Sequence, residues 1–424
     1  MKKIKVFVLS DNPLAPSGVA TQTKYMIEGL LKTGRFTFVC FGGAIAHHDY
    51  NPISVEGYGD DWVIFPVAGY GTQDQVRSML QNHKPDMVWI MTDPRFWPWL
   101  WEIENEIRSV VPLVYYHVWD NYPYPQFNRQ FYMSNDLVAT ISKVSDDIVA
   151  TVAPEVRRMR IPHTTNTSIF KKLDETEIKK FRQNNNLAYK KNGEEKFLLF
   201  WNNRNARRKQ SGTLIWWFNE FLEKVGKENA CLIMHTEPKD ENGQDLEAIM
   251  EVLGLVDGEV LLSTKKMPAE ELALLYNVCD CTINISDAEG FGLGTLESLS
   301  CETPIIVNMT GGLQEQVTDG DDNWFGIGIQ PSSKAIIGSQ QVPYIYEDRI
   351  AKEDFLEALE MLYNTPKEER MEMGKQGRKH VLNEYGFDQY VRLWDETLTN
   401  LHKELGSWST RKHVSWELVD LNEI

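Results

Sequence analysis

Short apolar runs alternate with amphipathic stretches from the first residues of the chain onward. KIKVFVLS (3–10) reads as a strand buried on both faces, DNPLAPSG (11–18) as a Pro- and Gly-containing loop, and the stretch from Ala20 to Leu31 as an amphipathic helix. Further strand-like runs follow at FTFVCF, DMVWIM, PLVYYHV and DLVATIS, with helical patterns between several of them, as in DQVRSMLQNH and from Trp99 to Ser109. Such alternation predicts an α/β fold, a doubly wound parallel sheet with helices on both faces. A polar, Asn- and Lys-rich stretch from Lys171 to Glu195 interrupts the pattern and reads as a boundary. Beyond it the same logic recurs through KFLLFW, a helix over Ser211 to Val225, ACLIMH, EVLLST, a helix over Pro268 to Tyr276, CTINIS, a Gly-rich loop, another helix and PIIVNM. A poorly patterned segment from Gly320 to Ile350 precedes helices over Lys352 to Tyr363, Pro366 to Glu384 and Phe387 to Leu405. The pattern divides the chain into domains 1–185 and 186–385, with a helix and tail over 386–424 returning to the first.

Length and composition fit this division. A chain of 424 residues exceeds what one core usually serves, and 42% hydrophobic with 25% charged residues is ordinary for globular protein. The formal net charge of -17 disfavours nonspecific adhesion to nucleic acid or anionic membrane. No apolar run approaches a bilayer span, and the amino terminus turns polar too soon for a signal peptide, so the expected location is cytoplasmic. The five cysteines lie mostly in strand-like stretches and read as buried free thiols rather than zinc ligands.

The strongest chemical signal is SDAEGFGLGTLESLSCETPIIVNMTGG (286–312). Gly290, Phe291 and Gly292 follow Glu289 directly, and Leu293, Gly294 and Thr295 lead to Glu297, seven residues separating the two carboxylates. A glycine-rich turn opening a helix lets backbone N–H groups approach an anion, and the positive end of the helix dipole favours a diphosphate there. Glu289 would then face the ligand from the loop, with Glu297 in the early helical turns within reach of a ribose diol. Taken singly, each carboxylate or glycine reads equally as dipole complement or ordinary turn; the whole string does not.

EGFGLGTLESLSCETPIIV resembles the Glu-x7-Glu signature of retaining glycosyltransferases of family 4. That resemblance implies the GT-B fold, two Rossmann-like domains facing across a cleft, the first binding the acceptor and the second the nucleotide-sugar donor. WNNRNARRKQSG resembles the segment whose Arg and Lys hold the donor diphosphate, matched by Arg204 and Lys209. PLVYYHVWD resembles the strand ending in a histidine beside the donor sugar, matched by His117, and APSGV resembles the first-domain glycine loop, carried by Gly18. SNDLVATIS and IPHTTNTSIF resemble later landmarks, although His163, Thr164 and Thr165 replace the family's Pro-Asn-Gly-Val-Asp core, and Gly294 stands where proline is frequent. The opening residues and VYYHVWDNYPYP also resemble transferases of T4-type tailed bacteriophages.

The resemblance implies a retaining, metal-independent transfer of a hexose or pentose from a nucleotide diphosphate, expected to be a UDP-sugar, with no further cofactor. His117, Arg204, Lys209 and Glu289 carry the catalytic roles. Aromatic residues at two strand ends, among them Trp97, Tyr116, Trp119 and Tyr122 with Asp120, are candidates for the acceptor. A basic series, Arg157, Arg158, Arg160, Lys171, Lys172, Lys179, Lys180 and Arg182, could follow a phosphate backbone or line a solvated face. The phage-like character makes a hydroxymethylated base in double-stranded DNA the expected acceptor; the alternatives are a glycan or small-molecule acceptor, a nucleotide-sugar epimerase, and a noncatalytic sugar-nucleotide binder. A dehydrogenase is disfavoured because the first strand–loop–helix unit lacks Gly-x-Gly-x-x-Gly.

Overall fold

The computed structural model describes residues 2–185, 187 and 193–413. These form two compact units, one from 2–163 with 388–413 and the other from 164–387. The 185/186 division read from the sequence adjoins residue 186, which lies outside the described residues, as does the tail from 414 onward. The polar stretch read as a linker is largely part of the second unit. Its helix Glu175–Asn184 buries Ile178, which joins Phe170, Leu187, Ala273 and Tyr276 in one cluster. Two buried apolar residues, Ile178 and Leu187, among many polar ones give too weak a pattern to be seen as core.

The first unit holds an eight-stranded sheet of β1 (Ile4–Asp11), β2 (Phe36–Gly43), β3 (Ile53–Ser54), β4 (Trp62–Pro66), β5 (Met87–Met91), β6 (Leu113–His117), β7 (Leu137–Thr140) and β8 (Arg158–Arg160). Their order is β3-β4-β2-β1-β5-β6-β7-β8, parallel except for the short β3. Helix α1 (Gly18–Lys32) follows β1, capped by Ser17, whose hydroxyl oxygen accepts from the Ala20 amide at 3.0 Å. The helix Phe387–Leu405 packs here as well: the Tyr390 hydroxyl donates to the Gln22 carbonyl at 3.1 Å, and Trp394 is buried edge-on to Tyr116.

The second unit holds a fully parallel sheet of β9 (Phe197–Asn202), β10 (Ala230–His235), β11 (Val260–Ser263), β12 (Cys281–Asn284), β13 (Ile305–Asn308) and β14 (Gly326–Ile329), in the order β11-β10-β9-β12-β13-β14. Helix α2 (Ser211–Val225) after β9 buries Leu214, Ile215, Phe218, Phe221 and Leu222 along one stripe. Each such side chain is worth about 1.5–3 kcal/mol of transfer from water. Helix α3 (Leu293–Ser300) after β12 buries Leu296 and Leu299 on the other face. The segment 320–350, unpatterned in sequence, contains β14 and an antiparallel hairpin, β15 (Ser333–Ile337) with β16 (Ile345–Arg349). All five cysteines are buried and free.

Candidate functional site in the second unit

In an open parallel sheet the carboxyl ends of the strands are where ligands bind. Three adjacent strands here, β9, β12 and β13, each end on an asparagine: Asn202, Asn284 and Asn308. Asn284 donates to Glu289 Oε2 at 3.2 Å, and Lys209 Nζ donates to the same oxygen. Lys209 and Glu289 are buried, their side chains 8% and 12% exposed. Burial alone would raise the Glu289 carboxyl. The charges of Lys209 and Arg208, with the hydrogen bonds from Lys209 and Asn284, outweigh it and hold the group below the ordinary carboxylate range. The stability this confers is present above the unfolded carboxylate pKa and is lost as pH falls through the depressed folded value.

Glu289 leads into the glycine turn. Gly292 has φ +89°, and a Cβ there would lie 2.5 Å from Leu313 Cδ2 and 2.8 Å from Thr295 Oγ1, so the turn requires glycine. Its carbonyl accepts from the Thr295 hydroxyl at 2.8 Å, which closes the turn onto α3. Gly294 sits where a Cβ would meet the Asn202 carbonyl oxygen at 3.1 Å, so α3 begins tight against the end of β9. The Phe291 ring is buried edge-on to Tyr385, so its side chain is spent in packing and only its backbone is left for the donor contact expected of it. Thr295 is corrected likewise, its hydroxyl lying 2.7 Å from Gln316 Oε1 in the interior.

Glu297, in the second turn of α3, accepts from the Tyr276 hydroxyl at 2.8 Å, and Tyr276 in turn accepts from Asn202 Nδ2 at 2.8 Å. Burial pushes the Glu297 carboxyl up to about 7, against the lowering effect of the Tyr276 hydrogen bond. A raised folded value means its protonated form favours the folded state: that stability is present below the unfolded pKa and is lost as pH rises through about 7. If the ionised carboxylate binds ligand, affinity should fall as pH drops through about 7, and Tyr276→Phe should move that midpoint upward. Calorimetric titration of UDP across pH 5.5–8.5 checks this, flat affinity removing Glu297 from the site.

Of the two donor cations expected, only Lys209 joins Glu289. Arg204 is 62% exposed and faces Asp240, with Nε and Nη2 donating at 2.6 and 3.0 Å. The neighbouring Arg207 and Arg208 have structural partners: Arg207 pairs with the buried Glu347, and Arg208 donates to the Ala288 carbonyl beside Glu289. Sequence reasoning also missed Asn202, Tyr276 and Asn284. The signal for Asn284 was available, since a polar residue closing an apolar strand just before a glycine turn is where such sheets place ligand contacts.

The first unit gathers a second set. Gly18 is the first residue of α1, and Asp11, at the end of β1, accepts from Ser17 at 2.6 Å and from Tyr70 at 2.9 Å. His117 closes β6, fully buried, its Nε2 2.8 Å from the Tyr132 hydroxyl. Burial holds its pKa down near 3, so the ring is neutral. Two acceptor candidates are corrected. Trp97 and Tyr116 are fully buried, Trp97 against Tyr70 and Trp99, Tyr116 between Trp89 and Trp394 with its hydroxyl donating to the Ile161 carbonyl, so neither offers a face to a ligand. Trp119 is nearly buried, Asp120 is part-exposed, and Tyr122 donates to Asp147 at 3.0 Å beside the exposed Tyr124. The basic series is no continuous track: Arg157 pairs with Glu404, Arg158 with Asp146, Lys172 with Glu175 and the buried Arg182 with Glu195, in two different units.

Residues 181–380 match the family model described as glycosyl transferases group 1. The matched residues fall within the second unit. The fold of the chain is GT-B, two Rossmann-like α/β domains. Sucrose-phosphate synthase from Thermosynechococcus elongatus superposes with a TM-score of 0.75 at 15% identity, covering 95% of this chain and 100% of that one. HepE of Anabaena, solved with UDP and glucose, gives 0.68 at 14% identity, covering 94% and 99%. Among curated proteins, the D-inositol 3-phosphate glycosyltransferase of Acidothermus cellulolyticus is 34% identical over 90 residues, 21% of this chain and 20% of that protein. That of an Arthrobacter species is 27% identical over 158 residues, 37% of this chain and 31% of its own length. The chain thus spans only about a fifth to a third of the length of these two curated relatives. Among the described residues, no helix is long and apolar enough to cross a membrane, and no group of three His, Cys, Asp or Glu is placed to hold a metal ion.

Proposed function

We propose that the protein transfers a sugar from a nucleoside diphosphate, UDP, to an acceptor hydroxyl with retention of anomeric configuration. The observation that carries this is the buried Lys209–Glu289 pair set beside a turn that only glycine can form, at the start of α3. The bond between the anomeric carbon and the diphosphate oxygen breaks with its electrons passing to the phosphate, the acceptor oxygen bonds to the same carbon, and its proton leaves with the departing phosphate. Charge develops on the diphosphate, so preorganised cations and helix-start amides stabilise the transition state more than the ground state. Lys209 supplies the ammonium, Arg208 the second nearby cation, and Gly290, Gly292, Leu293 and Gly294 the backbone. Arg204 can reach the phosphates only by leaving Asp240. Glu289 holds sugar hydroxyls and Glu297 the ribose.

Within the first unit, the resemblance points to Gly18, at the positive end of α1, and to His117, which burial keeps neutral and so suited to hydrogen bonding rather than general acid catalysis. The acceptor set is Trp119, Asp120, Tyr122 and Tyr124. Between acceptors, a glycan or small polyol is favoured over a hydroxymethylated base in DNA, because four of the eight cations of the basic series, Arg157, Arg158, Lys172 and Arg182, are paired with carboxylates and the chain is strongly acidic. HepE, solved with UDP and glucose, supports UDP as the nucleotide. Mass spectrometry of products from UDP-sugars offered with free saccharides, with polyols and with hydroxymethylated duplex DNA tests the reading. Glycosides of saccharides or polyols are expected; conversion of the donor without any acceptor points to an epimerase, and binding without turnover defeats catalysis.

A further inference from the structure

A two-stranded hairpin buries little and is marginal in water on its own, so what holds β15–β16 down indicates what it does. Its attachments concentrate on three consecutive residues of β16. Side chains alternate along a strand, so Glu347 and Asp348 reach in opposite directions. Glu347, buried, pairs with Arg207 in the loop after β9. Asp348 Oδ2 accepts from the Thr310 hydroxyl at 2.7 Å in the loop after β13, and its carbonyl accepts from Asn308 Nδ2 at 2.6 Å. The Asp348 amide donates to the Asp287 carbonyl at 2.8 Å in the loop after β12. Arg349 adds a 2.9 Å bond to Glu347.

Two attachment points, Arg207 and Asp287, lie within two residues of groups assigned to the donor, and Thr310 leads to a residue hydrogen-bonded to one of those groups. Arg207 precedes Lys209, Asp287 precedes Glu289, and Thr310 precedes Gly311 and Gly312, the Gly312 amide donating to the Glu289 carbonyl at 3.2 Å. The loops after β9 and β12 are also tied to each other, through the Asp287 amide to the Arg208 carbonyl at 2.8 Å and Gln210 Nε2 to Asp287 Oδ2 at 2.6 Å. Gln210 itself is held in the left-handed region at φ 57°, uncommon for a residue with a side chain, and Thr213 donates to its Oε1 at 2.6 Å. Three adjacent strand ends are therefore cross-linked by one transverse strand.

We propose that β15–β16 is a strap that positions the donor loops, with Asp348 as its positioning residue, a reading that rests on the donor site assigned above. Asp348 acts through Thr310, Asn308 and Asp287 and has no part in the chemistry. It sets the separation of the Lys209 and Glu289 loops, on which the geometry of a bound diphosphate depends, since site groups hold their placement only when the surrounding shell is itself locked by hydrogen bonds.

The test uses the full chain with Asp348→Ala and Asp348→Asn, reading calorimetric UDP affinity and amide hydrogen exchange at 20 °C. The alanine variant loses the Thr310 bond and should bind UDP about tenfold more weakly, the scale of one hydrogen bond to a charged group. It should also exchange faster over 309–312, the loop released, and over 285–292, joined to it through the Gly312 amide, while the amides of β10 and α2 keep their protection. The asparagine variant keeps an acceptor oxygen for Thr310 and should restore both. A merely structural role would lower the folded fraction, or speed exchange throughout the unit, without changing the affinity of the molecules that remain folded. Affinity within about twofold of wild type, or unchanged exchange in the two loops, overturns the strap. Should Asp348→Ala not fold, Thr310→Val removes the same bond from the other side and is read identically. If the wild-type chain binds no UDP, the donor reading fails, while the exchange arm still decides whether the strap orders the loops.

Discussion

Replacing Lys209 with Ala is expected to lower turnover by roughly a hundredfold, the scale of losing one preorganised charge contact at a site where charge develops. Two effects combine. The diphosphate loses an ammonium, and Glu289 loses the partner whose charge opposes the cost of its own burial. With only Arg208 and Asn284 left, desolvation gains weight and the Glu289 carboxyl rises from its depressed value. The acid limb of the rate profile should therefore move to higher pH in Lys209→Ala, a shift that loss of a phosphate contact alone would not produce. Steady-state turnover from pH 5 to 9 in both proteins decides it; near-normal turnover removes Lys209 from the site. Lys209→Arg retains the charge but must fit a planar fork into a space 8% exposed, so it should recover only part of the rate.

Gly292→Val should strongly destabilise the second unit. At φ +89° a β-branched residue is strained by about 1–3 kcal/mol. Its Cβ would also sit 2.5 Å from Leu313 Cδ2, which lies in the buried interior. Overpacking of this kind adds roughly 1–3 kcal/mol, so the thermal midpoint should fall by several degrees and by about ten or more if the terms add. UDP binding should fall with it, because the turn sets where the first amides of α3 point. Differential scanning calorimetry with and without UDP is the measurement. An unchanged midpoint would falsify the claim that the turn tolerates only glycine.

Much of this protein was legible before its structure. Continuous apolar runs such as FTFVCF and ACLIMH have no other economical reading than strands buried on both faces, and their alternation with helices leads to parallel sheets. The motif around Glu289 and Glu297 was legible because glycine and paired carboxylates are rare enough together to stand out. What misled was aromatic content. Trp97 and Tyr116 look like ligand platforms in a list of residues, yet both are fully buried, because composition says nothing about which side of a strand end faces the core. The basic series is open to two readings from sequence, and one of its pairings could not be seen locally: Arg157 meets Glu404, 247 positions away in the chain.

The hairpin shows the limit most clearly. Nothing in SSKAIIGSQQVPYIYEDRI has a strong period, since its strands are short and half-exposed, and their order comes from Arg207, Asp287, Asn308 and Thr310. Local patterning by itself determined the layered α/β architecture, the glycine turn and the pair of carboxylates, because those depend on residues close together in the chain. Only the tertiary structure decided that Lys209 rather than Arg204 meets Glu289, that Tyr276 buffers Glu297, and that β16 ties three strand ends together. Those facts depend on which distant residues are brought within hydrogen-bonding range, and periodicity along a chain carries no record of that.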